Sequence, residues 1–157
     1  MINDKIKPSG ELTIVLKDQN GNIKEQRVIP NLVTTAGKNL IAQRLGGGTF
    51  SSPTGPTHMA LGTSSTAALI GDTILGTEFA STRVAMSSTT GSVSVSGGII
   101  TYSCTFAAGV GTTAITEAGI FTNNTINSGT LLCHTVFAAV NKDTLDTLTI
   151  NWAVTIS

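Results

Sequence analysis

Between residues 148 and 156 every second residue is large and apolar: Leu148, Ile150, Trp152, Val154 and Ile156. Successive side chains of a strand point to opposite faces, so DTLTINWAVTIS reads as a strand with one buried face and one polar face. Its run to the last residue ties the C-terminus into a sheet. ELTIVLKD repeats the pattern with Leu12, Ile14 and Leu16. QNGN follows, and an Asn-Gly pair between two strand-like runs is a strong hairpin signal. The return strand is IKEQRVIP, with Pro30 as its expected end.

The rest of the chain fills in around these strands. In NLVTTAGKNLIAQRLGGG, Thr34 or Thr35 can cap a helix, Leu40, Ile41 and Leu45 form one apolar stripe, and Gly46 to Gly48 stop it. GGGTFSSPTGPT is a connector rich in Gly, Pro and Ser. HMALGT, FASTRVAMSS, GSVSVSGGIITYSCTFAAG, AITEAGIFTN and GTLLCHTVFAAV are β-type segments between turn residues. The expected fold is mainly β: an antiparallel β-sandwich, jelly-roll-like or Ig-like, with one short helix and an extended N-terminal arm. The arm spans residues 1–10. One β domain over 11–157 comprises a hairpin at 11–30, the helix at 34–45, a loop at 46–57 and the main sheets from 58.

Charge is scarce and uneven. Only 11% of the 157 residues are charged, and the net charge is zero. Beyond residue 45 the charged residues are Arg83, Lys142, Asp72, Glu78, Glu117, Asp143 and Asp146. A free monomer normally keeps more surface charge than this, whereas a Thr-, Ser- and Ala-rich surface suits burial against copies of itself or a larger assembly. No basic patch offers nucleic acid an electrostatic footprint. No apolar run of 18 residues suggests a membrane helix, and the polar start MINDKIKPSG does not read as an export signal. Cys104 and Cys133 are therefore expected as free buried thiols.

Tests for chemistry return little. Glu78 and Glu117, with Asp72, could form a pair of acids of the kind that glycosidases use. The plainer expectation is that Arg83 neutralises one of them inside the fold, since buried charges are normally paired. Cys133 and His134 are adjacent, so in a strand they face opposite ways and form no dyad. A pairing of Cys104 with His58 has no support in the spacing. The sequence has no C-x-x-C, no H-x-x-x-H, no calcium loop and no phosphate loop, so no metal or cofactor is expected.

Several pieces nevertheless stand in a telling order: NLVTTAGKNLIAQRL, MALGTSSTAA, DTILGTEFASTR, ITYSCTFAAG, ITEAGIF, SGTLLCHTVF and DTLTINWAVTIS. This series, over roughly residues 31–157, resembles structural proteins of tailed bacteriophages. In those proteins an "ALGTG-TA" turn precedes a "D-T-x-L-x-x-E…R" segment, an "E-A-G-L-F" segment, and a closing "D-x-L-x-I-x-W-x-I" strand. The resemblance implies a non-enzymatic virion component, assembled in the host cytoplasm, with no nucleic-acid or membrane partner. A stand-alone module with an arm looks most like a capsid cement or decoration protein, which binds the major capsid protein and copies of itself, with a homotrimer fitting a threefold joint. The alternative is a tail, baseplate or tail-fibre subunit, with host recognition as a role open to it.

On this reading Asp72, Glu78, Arg83, Glu117 and Trp152 are structural anchors. Glu117 is expected to accept bonds from backbone N–H groups or from Arg83. Ala118 and Gly119 would let another backbone pass close, and Ile120 and Phe121 would enter the core. Ile2, Lys5, Ile6 and Lys7 are the residues with which the arm would contact a capsid.

Overall fold

The computed structural model describes residues 6–46, 55–86 and 91–157. The Asn-Gly signal forms the first hairpin. Strands β1 (Pro8–Lys17) and β2 (Ile23–Val33) pair antiparallel around a turn whose N–H groups, from Asn20 and Asn22, bond to Asp18 at 2.8 and 2.9 Å. Gly21 sits in that turn at φ +83°, where a side chain would be strained. The other edge of β1 pairs with β9 (Thr147–Ile156), which sets Leu12 opposite Trp152, Ile14 opposite Ile150 and Leu16 opposite Leu148. These six side chains are at most 2% exposed. Burying one such aliphatic side chain stabilises by ~1.5–3 kcal/mol, so period-two alternation at both ends of the chain builds the core directly.

The remaining elements are α1 (Thr35–Leu45), β3 (His58–Gly62), β4 (Val84–Ala85), β5 (Gly91–Ser96), β6 (Ile99–Phe106), β7 (Ala114–Phe121) and β8 (Leu131–Asn141). The nine strands among the described residues form one antiparallel sheet in the order β4-β3-β7-β8-β2-β1-β9-β6-β5. The sheet folds over on itself through β2. As far as Asn31 this strand pairs with β1, whereas Leu32 and Val33 pair with His134 and Cys133 of β8. Strands that switch layers make the corners of such folds. Pro30 therefore does not end the strand: it lies opposite Glu11 of β1, just before the strand passes to the other layer, and its carbonyl accepts from Thr135 Oγ1 at 3.2 Å. At the far side β4 meets β6, with Cys104 Sγ 3.8 Å from the Val84 carbonyl. The result is a mainly β, sandwich-like fold that nearly closes into a barrel.

The helix starts where Thr34 caps it, accepting from Gly37 N at 2.9 Å and donating to the Leu131 carbonyl at 2.6 Å. Leu40 is buried and Ile41 packs against the core, but Leu45 is 68% exposed and leaves the expected stripe. Of the expected arm, residues 8–10 belong to β1, and Lys7 N bonds to the Ser157 carbonyl at 2.6 Å. Ile6 is 65% exposed, while Ile2 and Lys5 lie outside the described residues. So do residues 47–54 of the loop expected at 46–57. Among its described residues FASTRVAMSS yields only the two-residue β4, because its first residues serve the loop before it. GSVSVSGGIITYSCTF is not one segment but a hairpin, reversed at Gly97 and Gly98 with φ of +56° and +77°.

A third layer positions the candidate site. Residues 63–83, between β3 and β4, run over the outer face of β3, β7 and β8. Leu75 packs there with Ala60, Phe121 and Leu131 in a small second core.

Candidate functional site

Alternation along β7 separates its two faces. Ala118 and Ile120 join the main core, whereas Glu117, Gly119 and Phe121 face the 63–83 loop. The loop has little ladder of its own, so its backbone N–H groups need other acceptors. Glu117, fully buried, supplies them. Its Oε1 accepts from Ser64 N at 3.0 Å and Thr77 N at 2.7 Å, and its Oε2 from Gly76 N at 2.8 Å.

The loop turns that present these donors repeat one short sequence. Leu61-Gly62-Thr63 and Leu75-Gly76-Thr77 lie side by side, with Thr63 N bonded to the Thr77 carbonyl at 2.9 Å. A Cβ on Gly62 would collide with the Glu117 carboxylate, and one on Gly76 would come within 2.7 Å of Ser64 Cβ. Glycine at both positions is what lets the carboxylate approach. Gly119 has a different task from the one expected: a Cβ there would lie 2.8 Å from Leu75 Cδ2 and 2.9 Å from Leu131 Cδ1, so it makes room for side chains rather than for another backbone.

His134 on β8 completes the arrangement. Its Nε2 is 3.0 Å from Glu117 Oε2, and its Nδ1 is 2.8 Å from Asp72 Oδ2, which also accepts from Leu69 N at 2.7 Å. A ring nitrogen facing an ionised carboxylate donates, so two such contacts make this imidazole the doubly protonated cation. Burial opposes its charge, but the bonds to Glu117 and Asp72 prevail and hold its pKa above the ordinary value. Burial likewise opposes ionisation of Glu117, and the bonds from His134, Thr77, Ser64 and Gly76 outweigh it, lowering its pKa. Asp72, His134 and Glu117 thus form a carboxylate–imidazolium–carboxylate chain that fastens the loop to the sheet.

A second buried ionic group closes the same loop. Arg83 meets Glu78 through Nε–Oε1 at 2.6 Å and Nη2–Oε2 at 2.9 Å, with side chains 5% and 1% exposed. Its Nη1 donates to the Asn123 carbonyl, Asn123 Oδ1 and the Ser128 carbonyl at 3.1, 2.9 and 3.0 Å, and the guanidinium lies 3.7 Å from the Phe121 ring centroid. Arg83 therefore neutralises Glu78, not Glu117. The two glutamates engage different partners, and neither presents an idle carboxylate.

Chemically, His134 and Glu117 are fully engaged: both ring nitrogens of His134 are occupied, and Glu117 accepts four bonds. A cleft of about 300 Å³ beside it is lined by Asp72, Ile74, Gly76 and His134. Asp72 alone of the three is partly open to solvent, at 26%. Among the described residues no group of His, Cys, Asp and Glu could hold a metal ion. Cys133 enters the core while His134 faces the loop, as strand alternation requires. Cys104 and Cys133 are free and buried, and burial raises both thiols to about 12. His58 pairs with Thr57 Oγ1 at 2.8 Å rather than with Cys104. Trp152 is fully buried in the core between Leu12 and Tyr102.

Three groups escape a reading of the sequence. His134 has no local signal, since its partners lie 17 and 62 residues away. The repeated Leu-Gly-Thr was the available clue to the turns around Glu117. At the opposite end, Lys24 bridges Asp143 and Asp146 at 2.9 and 2.7 Å, and buried Lys142 donates to the Ala107 carbonyl at 3.0 Å. No known protein family, no curated protein and no solved structure matches this chain.

Proposed function

We propose that this chain is a non-enzymatic structural subunit of a tailed-phage virion, acting as a capsid cement that joins major capsid subunits. The observation that carries the reading is where the charge goes. Of the seven charged residues beyond position 45, Glu78, Arg83, Glu117, Lys142 and Asp146 have buried side chains. Asp143 and, in part, Asp72 reach the surface; otherwise what faces outward among the described residues beyond position 45 is largely Ser, Thr, Ala and exposed apolar residues such as Leu69 at 64%, Ile70 at 50% and Val95 at 72%. Such a surface is costly for a free monomer and well suited to burial between subunits. A cement stabilises a shell by mass action, because it binds the assembled form best. The buried ionic groups serve this role by keeping the body rigid. The order of motifs that resembles phage structural proteins supplies the particle.

The test is to add the purified chain to phage heads that lack it. Stoichiometric sedimentation with heads, and greater resistance of those heads to heat, is the expected result. Sedimentation with tails alone would move the protein to the tail or baseplate, and binding to neither would end both readings.

A further inference from the structure

Strand β5 contains Ser92-Val93-Ser94-Val95-Ser96, which reads the same in both directions about Ser94. Among the described residues it is the last strand of the sheet and pairs only with β6. Both central residues of its turn, Gly97 and Gly98, have positive φ, the mark of a two-residue type I′ hairpin. Ser96 and Ile99 are then the hydrogen-bonded pair closing the turn. By the alternation of an antiparallel ladder, Ser94–Thr101 and Ser92–Ser103 are hydrogen-bonded too. The N–H and C=O groups of Val93 and Val95 consequently point away from β6.

Natural edge strands are normally blunted by Lys, Pro, a bulge or a covering element. Between Ser92 and Ser96 there is no charge and no proline, and the β5–β6 register is unbroken. Among the described residues, β4 and the Met86 that follows it approach only the start of the strand, where a Cβ on Gly91 would lie 3.0 Å from Met86 Cα and 3.3 Å from the Ala85 carbonyl. Residues 92–96 are all exposed.

We infer that β5 is a self-association edge, pairing antiparallel with β5 of a second copy about a two-fold axis through Ser94. The palindrome selects this occupant. Pairing Ser94 with Ser94 of the second copy sets Val93 against Val95 of the second copy and Ser92 against Ser96 of the second copy. Every outward backbone group of the two valines finds a partner, giving four new hydrogen bonds. The four valines fall on one face, continuous with Tyr102 and Ile100, which oppose Val93 and Val95 within the subunit. A slip by one residue would place valine beside serine on the same face, which the two-fold axis forbids. No like charges meet in the contact. This contact rests on the assembly reading above and names the surface through which one copy meets the next.

Disulfide trapping tests it. Ser94 would face its own counterpart as a non-hydrogen-bonded pair, with Cα atoms about 4.5 Å apart, inside the range a disulfide spans. Ser94→Cys should give a covalent dimer under mild oxidation. Ser92→Cys should not, because Ser92 lies opposite Ser96 of the second copy. Cys104 and Cys133 are buried and do not compete. In sedimentation velocity the unmodified chain should run as a dimer or larger, and Ser94→Lys, which opposes two charges, should lose this contact. Equal cross-linking at 92 and 94, or a monomer that Ser94→Cys fails to trap, overturns the inference. If the chain nevertheless sediments with heads, the β5 contact falls and the cement reading stands. Trapping at Ser94 without head binding supports the contact and removes that reading.

Discussion

The 63–83 loop and the β5–β6 hairpin are attached to the same sheet by opposite means. The loop has little ladder, so the N–H groups of Ser64, Leu69, Gly76 and Thr77 turn to Glu117 and Asp72. Ionised side chains are drawn inward to serve them, and His134 and Arg83 neutralise the acids. The hairpin, residues 91–106, contains no charged residue and is held together by backbone pairing at six positions. The difference teaches how these two regions use charge: it is buried beneath the loop, which lacks a ladder, and absent from the hairpin, which has one.

The comparison breaks first at Arg83. Replacing it by Met leaves Glu78 buried without its cation and should cost about 3–5 kcal/mol, read as the loss in chemical denaturation. An unchanged midpoint would mean that the loop is held by its apolar contacts. Glu117→Gln keeps the shape but removes the charged acceptor, with an expected loss of ~1.5–3 kcal/mol. Undiminished thermal stability in that variant would show that the three backbone donors find other partners. Gly119→Ala pushes a methyl into Leu75 and Leu131, and overpacking of this kind costs ~1–3 kcal/mol. Raised proteolysis within 63–83 is the signature to seek.

The pH response sharpens the comparison further. His134 is held above its unfolded value of 6.5, so its contribution is complete below pH 6.5 and is lost as pH rises through the folded value. Glu117 is held below 4.5, so its contribution is complete above pH 4.5 and is lost as pH falls through the folded value. The loop should be most firmly attached between those limits, and His134→Gln should flatten the alkaline side of a melting-temperature profile. The smallest effect belongs to the hairpin: Ser94→Lys should change monomer stability by no more than about 0.5 kcal/mol, measured at a concentration where the chain is dispersed.

Legibility followed the same division. Strands β1 and β9 could be read because Leu12, Ile14 and Leu16 and the run from Leu148 to Ile156 each mark one buried face. The acids of the loop could be picked out as anchors because isolated charges in apolar text require partners. Which partner each takes could not be read: Arg83 is five residues from Glu78 and His134 is 17 from Glu117, but the choice depends on which face of β7 and β8 the loop covers. The β5–β6 hairpin was hidden because uncharged β-type residues run on both sides of Gly97-Gly98, residues 92–96 before it and Ile99–Phe106 after it, although the Gly-Gly pair was itself a turn signal. Pro30 misled for a related reason: a rule about ladders ends a strand there, but β2 is changing layers at that point.

The adjacency of Lys7 and Ser157, with Lys7 N bonded to the Ser157 carbonyl at 2.6 Å, has a mechanical consequence. β1 and β9 run antiparallel over ten paired positions, from Pro8 opposite Ile156 to Lys17 opposite Thr147. Tension applied between residues 7 and 157 would load these rungs one at a time and peel the strands apart at low force. The same tension between residues 17 and 157 would be shared by all ten in shear. A neighbour that grips this protein by its ends would hold it by its weakest seam, and one that grips it near the first turn would hold it by its strongest.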